Sequence, residues 1–472
     1  MAHKKIEYRI EKDGHGEMPV PVTAYWGIGT ARALEFACNG ELHPRFLQAL
    51  AQVKKACAEA NLQLGRVDAK IAKAVSLSAE EILSGQWHDQ FPVSLLQAGS
   101  LFAVCTNIDE VLANRAGEVL GGQIGQFNQV KPAEHVSAGQ TPYDTFPLAL
   151  RLTLLSEKSE LEACLLDLER LLRRKALALE KVIKPGRVHL QDALPLSLGQ
   201  VFNSWGATVG RCYRRLLDVN SVLSEANPGA GEIGTGYGTA SKFPALVVEK
   251  LTEISGVKLK LGDDAVRSNQ SMSDYVALSS ILKEIAIELL KISSDLRLMN
   301  SGPEAGFGEI NLPTAHIYKT AVSLQDRSVP IVPEYTAMLC LQVTGYDLTI
   351  CSAAREGQLE CNAMLPLIAH SLLAALEALT GGIKLLSNRC ISGVTADLSR
   401  CKHNLAVSGV ERLLLSTVLG AEQASKIIAE AHELAISVRD LVLERQLMSA
   451  EQFEQCMNVK TLLAHETGGF AG

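Results

Sequence analysis

The sequence predicts an all-α protein organised around a bundle of long helices. From Leu278 to Met299, the residues Leu278, Leu282, Ile285, Leu289, Ile292, Leu296 and Met299 recur at alternating steps of four and three. That is a heptad seam, the pattern of a long helix packed against others. From about Ser156 to Val182 a second helix is expected, with Leu161, Leu165, Leu168, Leu172 and Ala176 on one side and Lys184-Pro185-Gly186 as its stop. The stretch Ala363 to Leu379 is apolar nearly all round, which places a third helix inside the bundle. The composition agrees: 47% of residues are hydrophobic but only 5% aromatic, which favours helix packing by Leu, Ile and Ala over an aromatic-rich β-sandwich.

A chain of 472 residues can hold two or three domains, or one long helical body with end caps. A helix apolar on more than one face needs several partners, which points to packing across subunits. The net charge of −7 leaves no basic surplus, so nucleic acid is not an expected partner. Pro366, His370 and Glu377 interrupt the longest apolar run, which argues for a buried helix and against a membrane span. Met1 to Gly14 is charged and polar, so no signal peptide is expected and the location is read as cytoplasmic. Eleven cysteines, an odd number without C-x-x-C spacing, read as free thiols in a reducing compartment. No His/Cys cluster has metal spacing, and neither a metal nor another cofactor is expected.

Long loops are expected where Gly and Pro cluster: 227–238 (NPGAGEIGTGYG), 301–313 and 321–333. The first lacks the Lys-Ser/Thr ending of a phosphate loop and is not read as one.

Several runs, in order along nearly the whole chain, resemble one family. They are RIEKDGHGEMPVPVTAYWGIGTARALE from Arg9, IDEVLANRAGEVLGG from Ile108, GRVHLQDALPLSLGQ from Gly186, SGPEAGFGEINLP from Ser301 and SGVTADLSRCKHNLAVS from Ser392. Together they resemble the aspartase/class II fumarase superfamily. The resemblance implies a three-domain, all-α fold, here divided as 1–146, 147–402 and 403–472. It also implies a homotetramer with a twenty-helix core and active sites built from loops of three subunits. The implied chemistry is anti elimination across a Cα–Cβ bond: a base takes the Cβ proton, a dianionic intermediate forms, and an amine or water leaves. Such a site needs hydrogen-bond donors and a cation.

Matched to the family motifs, this chain keeps some site residues and changes others. Where T-S-T-N-M-N is expected it has Phe102, Ala103, Val104, Cys105, Thr106 and Asn107. Where H-V-N-x-S-Q-S-T-N-D is expected it reads HVSAGQTPYD, with Thr141 the one surviving hydroxyl and Tyr143 in place of Asn. His189 and Gln191 survive in VHLQDA, and PIVPE places Glu334 as the partner of His189. The signature loop G-S-S-x-M-P-x-K-x-N is absent after Pro313. Arg327 falls where the family has Lys, and could bind a carboxylate through its fork. Ser323 lies one step from the serine position. The base could be Ser323, Tyr318, Lys319 or the His189–Glu334 dyad. Phe102 and Tyr143 suggest an aromatic-lined site, where rings could hold a cation.

The reading these changes favour is a carbon–nitrogen lyase of the ergothionase branch, releasing trimethylamine from ergothioneine to give thiourocanate. The alternatives are an aspartate ammonia-lyase or fumarase, and a catalytically dead paralogue with a binding or assembly role.

Overall fold

The computed structural model describes residues 7–37, 41–302, 304–314 and 329–457. Its contacts divide the chain into two compact units. One comprises 1–163, 214–286 and 341–380; the other comprises 164–213, 287–340 and 381–472.

Long helices dominate both units, as the periodicity predicts. The seam helix runs Ser273–Met299, and every seam residue from Leu278 to Met299 is buried. The second expected helix is longer than the pattern suggests, Pro142–Ala178. Its start sits inside the stretch read as an active-site loop, because Pro is well tolerated in a first helical turn. Leu161, Leu165, Leu168, Leu172 and Ala176 all point into the core. The third helix runs Leu365–Arg389, ten residues past its expected end. It is long and apolar enough to cross a membrane, yet most of its apolar window is buried inside the protein.

In the first unit, Pro44–Gln63, Ala69–Leu83, Ser100–Val119 and Phe243–Ser255 complete the main helices. Asp68 caps Ala69–Leu83 by accepting from the Lys70 amide, and Gly256 at φ 69° ends Phe243–Ser255. In the second unit, Leu415, Ala424, Ile427, Leu441, Val442 and Phe453 form a separate small core among the C-terminal helices.

Four two-stranded ribbons interrupt the helices among the described residues. The antiparallel pair Ile183–Val188 with Gln191–Ser197 corrects the expectation of a plain helix stop at Lys184-Pro185-Gly186. The run 331–333, read as the end of a loop, belongs to the helix Ile331–Ala354, with Glu334 in its first turn.

Candidate active site

In the first unit, the residues matched to the family's first loop are helical. Gly99, at φ 65°, starts the helix Ser100–Val119. Phe102 faces solvent, whereas Asn107 is fully buried and its Nδ2 donates to the Gln90 carbonyl at 3.1 Å. Asn107, a candidate substrate contact by motif position, is therefore packed in the core of the single chain. It lies almost two turns into the helix, on its inward face.

Phe102 meets Tyr143 edge to face, with ring centroids 5.7 Å apart and planes at 84°. The pair borders a cavity of about 540 Å³ whose walls include Leu95, Leu96, Gly99, Met364 and Pro366. The two rings thus touch each other on a largely apolar wall. Thr141 is less available than expected. Its amide and its hydroxyl both donate to Asp144, at 3.0 and 3.3 Å, so its proton is already committed.

A buried polar network lies in the same unit. Lys54, 1% exposed, sits 2.7 Å from Asp109 and donates to Ser137 Oγ at 3.0 Å. Ser137 in turn donates to Asp109 at 2.5 Å. Asp144 accepts from the Gly231 amide at 3.1 Å, tying the start of Pro142–Ala178 to the glycine-rich run. Residue types gave no signal for this network, because an isolated Lys or Asp in sequence usually marks a solvated face.

Burial pushes the Asp144 carboxyl up from 3.8 to about 6, against the lowering by the Thr141 and Gly231 amides. Its folded value lies above its unfolded value, so proton binding favours the folded state. That contribution is complete below pH 3.8 and is lost as pH rises through about 6. Asp144→Asn removes the titration. Its stability relative to the parent protein should therefore rise by about 3 kcal/mol across that window and then level off. Urea unfolding at a series of pH values measures this, and a pH-independent difference would contradict it.

In the second unit, His189 and Leu190 form the two-residue turn of the Ile183–Val188/Gln191–Ser197 hairpin. Both lie in the left-handed region, at φ 54° and 62°. Two consecutive positive φ values are what a tight hairpin of this kind requires. The turn holds His189 exposed at the hairpin tip, with Gln191 exposed one position beyond Leu190. Glu334 lies in the first turn of Ile331–Ala354, with Oε1 3.7 Å from Arg297 Nη2. The two groups border a cavity of about 550 Å³ together with Asn300, Ser301 and Gly302. Within one chain no hydrogen bond joins His189 to Glu334. Tyr318, Lys319, Ser323 and Arg327 lie outside the described residues.

No group of His, Cys, Asp or Glu among the described residues is arranged to hold a metal ion.

Comparison with known proteins sets this geometry in context. Residues 16–345 match the lyase family model, and residues 414–464 match the model of the fumarase C C-terminus. The chain is 36% identical over 461 residues to an aspartate ammonia-lyase of Bacillus subtilis (strain 168), covering 97% of this chain and 96% of that one. It is 33% identical to the Escherichia coli (strain K12) aspartate ammonia-lyase, covering 96% of each. A fumarate lyase:delta crystallin from Brucella melitensis superposes with a TM-score of 0.91 at 33% identity, covering 97% and 99% of the two chains. The class II fumarase of Schistosoma mansoni superposes with a TM-score of 0.89 at 26% identity, covering 96% and 98%. These relatives favour the aspartate ammonia-lyase alternative over the ergothionase reading, for which they offer no support. The chain belongs to the lyase family of the aspartase/class II fumarase superfamily, with the mostly α-helical fold of that group.

Proposed function

We propose that the chain is a carbon–nitrogen lyase that releases ammonia from an α-amino acid, with L-aspartate as the first substrate to assign to it. The observation that carries this reading is the near-full-length similarity to aspartate ammonia-lyases, 36% identity to the Bacillus subtilis enzyme among them. In the proposed reaction a base removes the Cβ proton, an anionic intermediate accumulates charge, and the amine leaves as the double bond forms. His189 and Glu334 act as an acid–base pair, with the carboxylate orienting the imidazole. Turnover should be slow. Phe102, Ala103, Val104 and Pro142 offer no side-chain donor to a second carboxylate, and a lost donor at such a site costs about 2.7–4 kcal/mol.

One observation favours a second reading. The Phe102–Tyr143 pair and its apolar cavity suit a trimethylammonium group, which has no N–H to donate. Trimethylamine would leave ergothioneine as a neutral molecule. An absorbance screen separates the readings. Aspartate yields fumarate, which absorbs in the far ultraviolet, and ergothioneine yields thiourocanate, which absorbs at longer wavelength. A dead paralogue yields neither product.

We also propose the family's three-domain division at about residues 146 and 402 and its homotetramer. Tyr335, Met338, Leu341 and Leu348 lie exposed on one face of Ile331–Ala354, an apolar stripe suited to helices of other copies. Light scattering should report a tetramer, and Met338→Glu with Leu348→Glu should dissociate it. A monomeric parent protein would refute the assembly.

A further inference from the structure

The hairpin that ends at His189 is anchored by a carboxylate that no reading above uses. Glu309 is fully buried. Arg187 Nη1 lies 2.9 Å from its Oε1, and Lys184 Nζ lies 3.2 Å from its Oε2. The Lys184 contact is an ion pair, and the same ammonium also donates to the Pro185 carbonyl at 2.8 Å.

In a regular strand, residues three apart point to opposite faces. Lys184 and Arg187 nevertheless reach the same carboxylate. The ribbon is irregular between them: the register shifts between Pro185 and Gly186, a bulge whose extra residue, Leu194, lies on the partner strand and bends the pair there. Gly186 is required there, because a Cβ would meet the Leu194 carbonyl oxygen at 2.3 Å.

The anchor is itself fixed. The Glu309 amide donates to the Met299 carbonyl at 2.8 Å, and its carbonyl accepts from the Asp397 amide at 3.0 Å. Arg187 also stacks over the Phe307 ring at 3.9 Å. Arg400 holds the Glu304, Gly306 and Phe307 carbonyls at 2.8, 2.7 and 3.2 Å. Two residues beyond Arg187, the chain enters the left-handed His189–Leu190 turn. Non-glycine residues there carry a conformational cost that the surroundings must hold in place.

We propose that Glu309 is a positioning residue for His189. By gripping Lys184 and Arg187 across the bulge, it fixes the strand that presents the imidazole. The inference rests on the reading that His189 serves the reaction, and it can be tested apart from that reading.

The test is hydrogen exchange of segment 183–197 in the full-length protein, together with kinetics. Glu309→Gln should exchange this segment about tenfold faster while the long helices keep their protection. It should lower kcat about a hundredfold with little change in KM, the effect of a misplaced group. In a His189→Ala background it should lower kcat no further, because the two act through one group. If Glu309→Gln does not fold, Arg187→Gln carries the same comparison, and Arg187→Lys should lose less than Arg187→Gln. Unchanged exchange of 183–197 in the folded variants overturns the proposal, as does a full additional loss in the His189→Ala background. A loosened hairpin in a protein that turns over no amino acid would leave the anchoring intact and remove the proposed function instead.

Discussion

His189→Ala is expected to lower kcat by about 10²–10⁴-fold, the usual contribution of a positioned acid–base group. Glu334→Gln should fall by a similar factor, and the double variant should cost little more, because the two act as a unit. The structure adds a condition to this expectation. Within one chain His189 sits at a hairpin tip, whereas Glu334 faces Arg297 from the start of Ile331–Ala354. No bond joins them within one chain, so the proposed pairing calls for a second copy of the chain in the proposed assembly. Mixed assemblies test this directly. His189→Ala and Glu334→Gln, each inactive alone, should recover part of the activity when refolded together, since some sites then receive both native groups. No recovery, together with multiplicative losses in the double variant, would show that the two residues act independently.

The second large effect is on stability. Lys54→Met should destabilise the protein by about 3–5 kcal/mol, because it leaves the Asp109 carboxylate without its cation in a nearly dry site. The two groups are 1% and 13% exposed and 2.7 Å apart. Replacing both, as Lys54→Met with Asp109→Leu, should recover much of the loss, since a well-packed apolar pair of similar volume can substitute for a buried ion pair. The comparison is made by urea unfolding of the three proteins. A double variant no better than Lys54→Met alone would mean that Ser137, which bonds both partners, depends on the charge pair for its own placement.

Much of the helical framework was legible in the sequence, because a heptad seam reports burial directly. Leu278, Leu282, Ile285, Leu289, Ile292, Leu296 and Met299 are each no more than 6% exposed. The His189 hairpin was not legible. IKPGRV and QDALPLS contain Pro and Gly, lack strand alternation, and turn through His-Leu, a pair with no turn preference. The start of Pro142–Ala178 was hidden for a related reason: Pro142 reads as a loop residue although the first turn of a helix accepts it.

The candidate site was legible only in part. Motif position singles out His189, Gln191 and Glu334 as candidates and shows two rings where polar residues were expected, but not that Phe102 and Tyr143 touch. The burial of Asn107 and the commitment of the Thr141 hydroxyl to Asp144 depend on which way a helix faces, and motif position carries no information about that. The Lys54–Asp109 pair and the Glu309 anchor join residues 55 and more than a hundred positions apart, so only the folded chain brings them together.

The central claim is that this chain breaks a carbon–nitrogen bond by elimination. The most direct measurement is proton NMR of the purified protein incubated separately with L-aspartate and with ergothioneine, following the new vinyl signals and the released amine. The account predicts fumarate and ammonium from aspartate, at a rate below the enzyme median of about 10 per second, and loss of both products in His189→Ala. Trimethylamine and thiourocanate from ergothioneine, with aspartate untouched, would replace the leading substrate by the second reading. No vinyl product and no amine from either compound would contradict the claim.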